Sequence, residues 1–370
     1  MIMRKSFLML GMAVAALTSC TQSEVLEIAH QPERPIGFEP FVDMQTKATH
    51  DITDGSADFK EFYVFGAKGS KDANGVYTAE KTGNEFYLDH IQVKGGKGNW
   101  TYDPHKAWIA NKTFRFAAYA NGTGDGTSTA AKLDKVTFVP NEAKTENSPT
   151  TYVWGLDISD YVVSDKDLIA AVPEEKVVSN IETAPPSVGL TFKHLLAKVI
   201  IQLRYTQNAA NNNLKLEVEP FSFNANKQGD CKVRYTGVEN NTVIGATWTP
   251  EGDAAAYDFF PKVGDKNQTW TRNNIQSEVY VIPQSNEGIK ITNITIYTKN
   301  SAGETTSTTT YQNVSLKIEN HTDWLPGYVY RYIADVTPGE HYIHFTTSVN
   351  TWIDEDNRNQ SLGGGSTSGN

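Results

Sequence analysis

The sequence predicts an all-β protein made of two antiparallel β-sandwich domains in tandem. Short segments rich in aromatic or β-branched residues recur along the chain, and Gly, Asn, Asp or Pro bounds each of them. Helical periodicity is almost absent. The 16 Phe, 17 Tyr and 7 Trp supply the apolar area that two sandwich cores need. Many short strands separated by turns are typical of sandwiches, in which two sheets pack face to face.

The predicted strands share this aromatic and β-branched composition. In Ile289–Tyr297 the apolar alternation slips by one residue at Asn293, which predicts a bulge. The segment Ser164–Ala171 fits a helical turn and a loop at a strand edge equally well. The predicted strands are Phe59–Phe65, Thr113–Tyr119, Val136–Val139, Tyr161–Val163, Ala197–Tyr205, Leu214–Val218, Phe221–Phe223, Glu278–Ile282, Ile289–Tyr297, Val314–Ile318, Tyr328–Val336 and Tyr342–Thr347.

The chain divides into a leader, a tether, two domains and a tail. Pro185 and Pro186 cannot both lie in a central strand, and the residues around them are polar, so we place the domain boundary beside them. The predicted segments are residues 1–19 (lipoprotein signal peptide), 20–35 (tether), 36–182 (N-terminal β-sandwich domain), 183–357 (C-terminal β-sandwich domain) and 358–370 (disordered tail).

The leader has the features of a bacterial secretory signal. Arg4 and Lys5 form a positive segment, and the apolar run 7–17 is shorter than the about 20 residues that a membrane-spanning helix needs. The sequence LTSC then ends at Cys20 and resembles a lipobox, the recognition sequence of lipoprotein signal peptidase. We therefore expect acyl chains such as palmitate on the Cys20 thiol, anchoring the mature chain to a membrane. A plain signal peptide with a chance cysteine is the alternative.

Charge and cysteine content exclude several classes of protein. A formal net charge of -10 and a pI near 5.3 argue against nucleic acid as a partner, because phosphate binding needs clustered Lys and Arg. Cys20 and Cys231 are the only cysteines, which excludes a disulfide scaffold and a four-cysteine zinc site. His341 and His344 would point to opposite faces of a strand. We therefore expect neither a metal site nor a cofactor.

No catalytic centre is predicted. The sequence contains neither a G-x-S-x-G nucleophile elbow nor a P-loop, and 43 acidic residues allow no carboxylate pair to be singled out. We expect Cys231 to be inert and partly buried, and His194, between apolar neighbours, to be a structural residue. The protein is therefore predicted not to be an enzyme. Tryptophans exposed at the surface would offer a sugar-binding face, so a surface-anchored glycan-binding lipoprotein is the alternative function.

Motifs along most of the chain resemble those of the fimbrillin family, the type V pilins of Bacteroides-like bacteria, over residues 1–355. Their order and spacing carry the resemblance, and Leu190–Val199 (LTFKHLLAKV) is the most specific element. After Cys20 the motifs are Ile36–Phe38, Thr46–Thr49, Phe59–Gly66, Asn99–Trp108, Phe114–Tyr119, Leu190–Val199, Val281–Gln284, Trp324–Tyr330 and Val349–Trp352. The resemblance implies two transthyretin-like β-sandwich domains and a structural or adhesive subunit of a cell-surface fimbria.

The resemblance also implies a maturation pathway. Family members reach the outer membrane as lipoproteins, and a trypsin-like protease then cuts near the first strand. The position that best matches the cleavage motif is the bond between Lys47 and Ala48; Arg34 is the runner-up, but Pro35 follows it. An ordinary loop residue is the other interpretation of Lys47. Loss of the first strand opens a groove that a donor strand from another fimbrial subunit fills.

The position of this subunit in the fimbria is a further expectation. Stalk subunits are expected to end in a hydrophobic donor strand, whereas residues 363–370 here are rich in Gly and Ser. If 341–352 belongs to the C-terminal sandwich, the chain accepts a strand without offering one. We therefore expect a tip or minor subunit rather than a stalk subunit, with an anchor subunit third. Its partners would be other fimbrial subunits, with a host or bacterial surface ligand possible and no nucleic acid.

Overall fold

The computed structural model describes residues 34–42, 59–96, 99–122, 131–144, 151–205, 214–235, 245–260, 274–336, 343 and 345–351. Within these ranges the fold is all-β, and the one helical element is a 3-10 turn at Ile181–Thr183. The prediction of an all-β protein is therefore confirmed. No described segment forms a helix that is long and apolar enough to span a membrane.

The described strands are numbered in chain order. They are β1 (Gly37–Val42), β2 (Glu61–Lys71), β3 (Tyr77–Ala79), β4 (Leu88–Lys94), β5 (Lys112–Gly122), β6 (Val136–Lys144), β7 (Thr151–Val162), β8 (Asp167–Ala171), β9 (Lys176–Val178), β10 (Ser187–His194), β11 (Ala197–Tyr205), β12 (Lys215–Val218), β13 (Phe221–Arg234), β14 (Gly245–Phe259), β15 (Asn274–Val281), β16 (Lys290–Lys299), β17 (Thr305–Ser315), β18 (Tyr328–Val336) and β19 (Phe345–Thr351).

These strands form three sheets. An eight-stranded sheet has the order β1-β10-β8-β5-β2-β3, with β4 added to β2 and β9 added to β5. A seven-stranded sheet has the order β12-β16-β13-β7-β6, with β14 added to β13 and β17 added to β16. A four-stranded sheet has the order β15-β11-β18-β19. Most neighbours are antiparallel, but β1 with β10 and β11 with β18 are parallel pairs.

The eight-stranded sheet is buried on both faces. Successive residues of β2 point to opposite faces, so Phe62 and Val64 enter one hydrophobic cluster while Tyr63 and Phe65 enter another. The first cluster, which we call the aromatic cluster, lies on one face of this sheet and contains rings from β1, β2, β5 and β10. The second cluster also takes in the apolar residues of the seven-stranded and four-stranded sheets, such as Val199.

Strand pairing crosses the predicted domain boundary between residues 182 and 183. Strand β10 begins after that boundary, yet it pairs with β1 and β8 in the eight-stranded sheet. Strand β7 lies before the boundary and pairs with β13, which lies after it. The segments on the two sides of residue 183 therefore share sheets, and the division into two tandem sandwich domains stays a prediction.

The bulge predicted at Asn293 is wrong, because the register of β16 with β17 does not shift there; only the face that β16 buries changes. Ile291 and Ile294 are buried, and the two residues between them are exposed. The pairing with β17 nevertheless continues from Ile291↔Val314 to Ile294↔Tyr311 in constant register. The opposite strand accommodates the change, because Asn313 adopts a positive φ of 53°. The register shift between these strands lies further on, at Thr298 and Lys299.

The segment Ser164–Ala171 contains a strand rather than a helical turn. Its residues Asp167–Ala171 form β8, which lies between β10 and β5. All five residues of β8 are buried, because the sheet packs against a hydrophobic cluster on each face. Ser164 still accepts a hydrogen bond from the backbone of Lys166 at 3.2 Å, so the polar start of the segment forms a local turn.

Candidate functional site

The candidate site is the edge of the eight-stranded sheet, which β1 occupies. Strand β1 pairs in parallel with β10 through six consecutive residues, from Gly37↔Ser187 to Val42↔Phe192. Within the described part of the chain β1 has no second strand neighbour. About 150 residues of chain separate the two partners, so local sequence does not hold this pair together. Complementary side chains must do so.

Alternate residues of β1 and the residue before it reach into the aromatic cluster. Ile36 is 1% exposed and Phe38 is 6% exposed. The Phe38 ring centroid lies 5.5 Å from that of Tyr102, 5.9 Å from Phe116 and 6.2 Å from Phe62. These distances are those of favourable tilted and edge-to-face aromatic pairs. Phe41, on the opposite face of the strand, is 50% exposed.

Strand β10 and its neighbours form the groove that receives β1. Val188, Leu190 and Phe192 alternate along β10 and are buried in the aromatic cluster together with Ile36 and Phe38. Removing β1 would expose these groups to water. Burial of one large apolar side chain contributes about 1.5–3 kcal/mol, so Ile36 and Phe38 make β1 a substantial part of the stability of this sheet.

Backbone hydrogen bonds hold the segment that precedes β1. The Ile36 amide donates to the carbonyl of Lys106 at 2.8 Å, and the Ile36 carbonyl accepts from the Tyr102 hydroxyl at 3.0 Å. The Trp108 amide donates to the carbonyl of Arg34 at 2.9 Å. The segment 34–36 is therefore anchored to the loop before β5 as well as to the sheet.

The start of β1 has room for glycine and for little else. A Cβ atom on Gly37 would lie 2.9 Å from the carbonyl oxygen of Pro186, closer than such contacts occur in proteins. By contrast, a Cβ on Gly189, in the facing strand, would meet no atom within 4 Å. The groove thus selects an apolar residue, a glycine and an aromatic residue in succession, which is the sequence Ile36-Gly37-Phe38.

The predicted modification sites fall mostly outside the described residues. Cys20, Lys47 and Ala48 all do so; Lys47 belongs to the segment 43–58, which connects β1 to β2. Arg34 is described. Its carbonyl accepts the Trp108 amide, and its Nη1 donates to the carbonyl of Glu182 at 2.7 Å. A protease would have to break these bonds to reach the Arg34 peptide bond, which also precedes proline.

Two residues expected to be structural are buried. His194 lies in the sheet with its Nδ1 2.8 Å from the Asp167 carboxylate, and both side chains are inaccessible. Cys231 is a free cysteine buried between β7 and β14, and burial, reinforced by the negative charge of Asp157, raises the pKa of its thiol. A protonated, inaccessible thiol is a poor nucleophile. The histidines His341 and His344 lie outside the described residues.

The tryptophans offer no exposed face in the described residues. Trp108, Trp154 and Trp324 are buried, and Trp100 and Trp248 are half-buried. Two more, at positions 270 and 352, lie outside the described ranges. The five described tryptophans therefore give no support to a sugar-binding surface of the kind predicted.

One acidic cluster was not predicted. Carboxylate oxygens of Asp160, Asp230 and Glu251 lie within 4.8 Å of one another at the surface. Lys135 forms an ion pair with Asp160, and the Gln228 amide donates to the same carboxylate at 3.1 Å. The hydrogen bond from Lys135 lowers the pKa of Asp160. Strand β13 pairs with β7 on one side and with β14 on the other, which brings these distant residues together and is why the sequence offers no signal for them.

Residues 64–352 match the family model described as fimbrillin-like. The chain belongs to the fimbrillin-like family. This match covers most of the sequence and includes every described strand from β3 to β19. The family match makes this chain a fimbrial protein of the cell surface. No curated protein is significantly similar to the sequence.

Three solved structures of similar proteins come from Bacteroides species. A fimbrial protein from Bacteroides vulgatus is 16% identical, with 86% of this chain and 99% of that chain covered and a TM-score of 0.48. A proposed cell adhesion protein from Bacteroides uniformis is 14% identical, with 86% and 100% covered and a TM-score of 0.41. Another, from Bacteroides ovatus, is 17% identical, with 87% and 98% covered and a TM-score of 0.38.

Proposed function

We propose that this fimbrillin-like chain is a subunit of a surface fimbria that assembles by donor-strand exchange at the β1 edge. It is exported as a lipoprotein through Cys20 and matured by cleavage between Lys47 and Ala48. The observation that carries the proposal is β1 itself, an edge strand that inserts Phe38 into the aromatic cluster, next to Ile36 from the residue before it. An incoming strand of similar pattern would gain the same backbone hydrogen bonds and the same pockets.

Cleavage within 43–58 is what would make β1 exchangeable. While that segment is intact, β1 is tethered to its own groove at an effective concentration in the millimolar range, which a separate strand cannot match. A cut converts β1 into a separate peptide held by non-covalent contacts alone. A donor strand from a neighbouring subunit can then replace it.

The position of the cut distinguishes Lys47 from Arg34. A cut after Lys47 separates all of β1 from β2, whereas a cut after Arg34 leaves β1 attached to the domain. Arg34 is also fixed by its two hydrogen bonds and followed by Pro35. Lys47 is therefore the site that we propose for maturation.

We further propose a tip or minor position in the fimbria. Strand β19 is paired with β18 along its whole length, so this segment is not available as a donor while it stays in the sheet. The lipid on Cys20 would hold the precursor at the outer membrane until cleavage releases it. The mature subunit would then contact other fimbrial subunits and, at a tip, a ligand on a host or bacterial surface.

The test is the uptake of a synthetic strand after limited trypsin treatment. A fluorescent peptide with the sequence of residues 34–42 (RPIGFEPFV) serves as the donor. We expect the treated wild type to show a new N-terminus at Ala48 and to bind the peptide, because its groove has become exchangeable. Lys47→Gln should do neither, and the matched variant Arg34→Gln should behave as the wild type does.

A second peptide, with serine in place of Phe38, controls for non-specific pairing and should bind much more weakly. Equal peptide uptake by Lys47→Gln and wild type would refute the cleavage site. Normal cleavage without uptake of either peptide would refute strand exchange at the β1 edge.

A further inference from the structure

A cavity of about 410 Å³ lies apart from the β1 edge. The loop that connects β7 to β8 forms one wall, β13 and β14 form the second, and β11 and the edge strand β15 form the third. This volume is within the range of about 300–1,000 Å³ that small-molecule sites occupy. The cavity shares no lining residue with the β1 groove, so it has no role in the strand exchange proposed above.

Two tyrosine rings, each accompanied by a lysine, line this cavity. The Lys198 ammonium lies 5.5 Å from the ring centroid of Tyr280, and the Lys227 ammonium lies 4.9 Å from that of Tyr257. The Tyr257 hydroxyl donates to the carbonyl of Asn226 at 2.7 Å, which fixes the orientation of its ring. Both rings are buried in the cavity wall, at 2% exposed for Tyr257 and 6% for Tyr280, and each lies beside a positive charge.

Carboxylates supply the opposite charge. Glu278 is half-buried, with its carboxylate 3.8 Å from the Lys198 ammonium, while Asp165 and Asp258 are exposed at the rim. The separation of Lys198 from Glu278 exceeds hydrogen-bonding distance, so a ligand hydroxyl could bridge the two groups. Donors and acceptors of hydrogen bonds thus face the same small volume.

The burial of Lys198 is the most unusual feature of the cavity. Lys198 is 2% exposed. It lies on β11, between β15 and β18, and is paired with Tyr280 of β15. Lysine is almost never buried to this degree, because removing an ammonium group from water is costly. At the wall of a polar cavity the same ammonium can serve a ligand.

We propose that this cavity binds a sugar residue of a glycan. Sugar hydroxyls accept hydrogen bonds from ammonium groups and donate them to carboxylates. An inorganic ion would need charges of one sign, whereas here two lysines face three carboxylates. A purely apolar ligand would remove these charged groups from water without replacing their hydrogen bonds.

The test uses saturation-transfer NMR on the full-length protein with galactose, mannose, fucose, N-acetylglucosamine and N-acetylneuraminic acid as separate millimolar probes. We expect transfer to at least one sugar. Glu278→Gln and Lys198→Met should each weaken that binding about tenfold, because each removes a charged hydrogen-bonding group. The matched control is Glu287→Gln, which breaks a surface ion pair with Lys317 outside the cavity and should leave binding unchanged.

Lys198 is buried, so Lys198→Met could fail to fold; Asp258→Asn, at the exposed rim, then replaces it in the test. Transfer that is lost in the cavity variants and kept in Glu287→Gln supports the proposal. Absence of transfer to every sugar overturns it. Transfer that persists unchanged in Glu278→Gln and Asp258→Asn also overturns it, because the sugar would then bind elsewhere.

Discussion

The edge strands β1 and β19, the first and last that the structure describes, are held in different ways. Strand β1 pairs in parallel with β10 and has buried apolar side chains at Ile36, just before it, and Phe38. Strand β19 pairs antiparallel with β18 through seven residues, and Asn350 is its buried residue. Phe345 and Val349 of β19 pack against the second cluster but stay half-buried, so its apolar side chains are less deeply buried than Phe38.

This difference indicates what each edge can recognise. A groove that buries an aromatic ring selects its strand by shape, so only certain sequences can replace β1. An edge held mainly by backbone hydrogen bonds accepts many sequences, because every residue offers the same amide and carbonyl groups. Selective strand exchange is therefore expected at the β1 edge.

The largest expected effect that tests this difference is that of Phe38→Ala. Phe38 contacts three aromatic rings, so we expect the free energy of unfolding to fall by about 3–5 kcal/mol. The matched variant Val349→Ala, at a half-buried position of β19, should cost about 1 kcal/mol. Urea unfolding of both variants measures the contrast. Equal losses would mean that the two edges are held alike.

A smaller effect is expected from a change at Gly37. Gly37→Val places a Cβ against the Pro186 carbonyl, and we expect a loss of about 1–3 kcal/mol in the same urea measurement. The control Gly189→Ala lies on the facing strand in open space and should be neutral, or stabilising by up to about 1 kcal/mol. A neutral Gly37→Val would show that the groove does not require glycine at this position.

The smallest expected effect is a pH dependence confined to the sheet that holds β1. Burial, with a smaller contribution from the charge of Lys132 that Asp134 opposes, lowers the pKa of His90, on β4, from 6.5 to about 4. Between these two pKa values the unfolded state binds the proton more readily, so stability falls as the pH drops from about 6.5 to about 4. The four strands of the sheet that holds β19 contain no histidine.

Hydrogen exchange at about pH 7 and about pH 5, corrected for intrinsic rates, checks this dependence. Amides of β4 should lose protection at the lower pH, and those of β18 should change less. In His90→Gln, which keeps a polar group beside the Tyr119 hydroxyl, the extra loss in β4 should disappear. Equal losses in β4 and β18 of the wild type would contradict a local effect of His90.

Local pattern predicted many strands closely. Ala197–Tyr205 and Tyr328–Val336 are β11 and β18 with the same bounds, because each is a run of β-branched and aromatic residues ended by turn residues. Ile36–Phe38 was identified instead as a motif of the family resemblance. The candidate site was predicted in part: the strand could be read from its residues, but its partner could not.

The β1 edge and the cavity both combine residues that lie far apart in the sequence. Strand β1 pairs with β10, which lies about 150 residues further along the chain. The cavity is lined by Lys198, Lys227, Tyr257 and Glu278, which come from four different strands. The alternation of side chains along one strand says which residues share a face but not which strand lies beside it.

The sequence by itself determined that this protein is all-β, and it identified the strand segments and the family to which the chain belongs. Only the tertiary structure decided that β1 lies at an edge with Phe38 in an aromatic groove, and that Lys198 lines a cavity. The physical reason is that strand propensity is local, whereas pairing and burial depend on contacts between distant segments. Those contacts form when complementary surfaces outweigh the entropy of closing long loops.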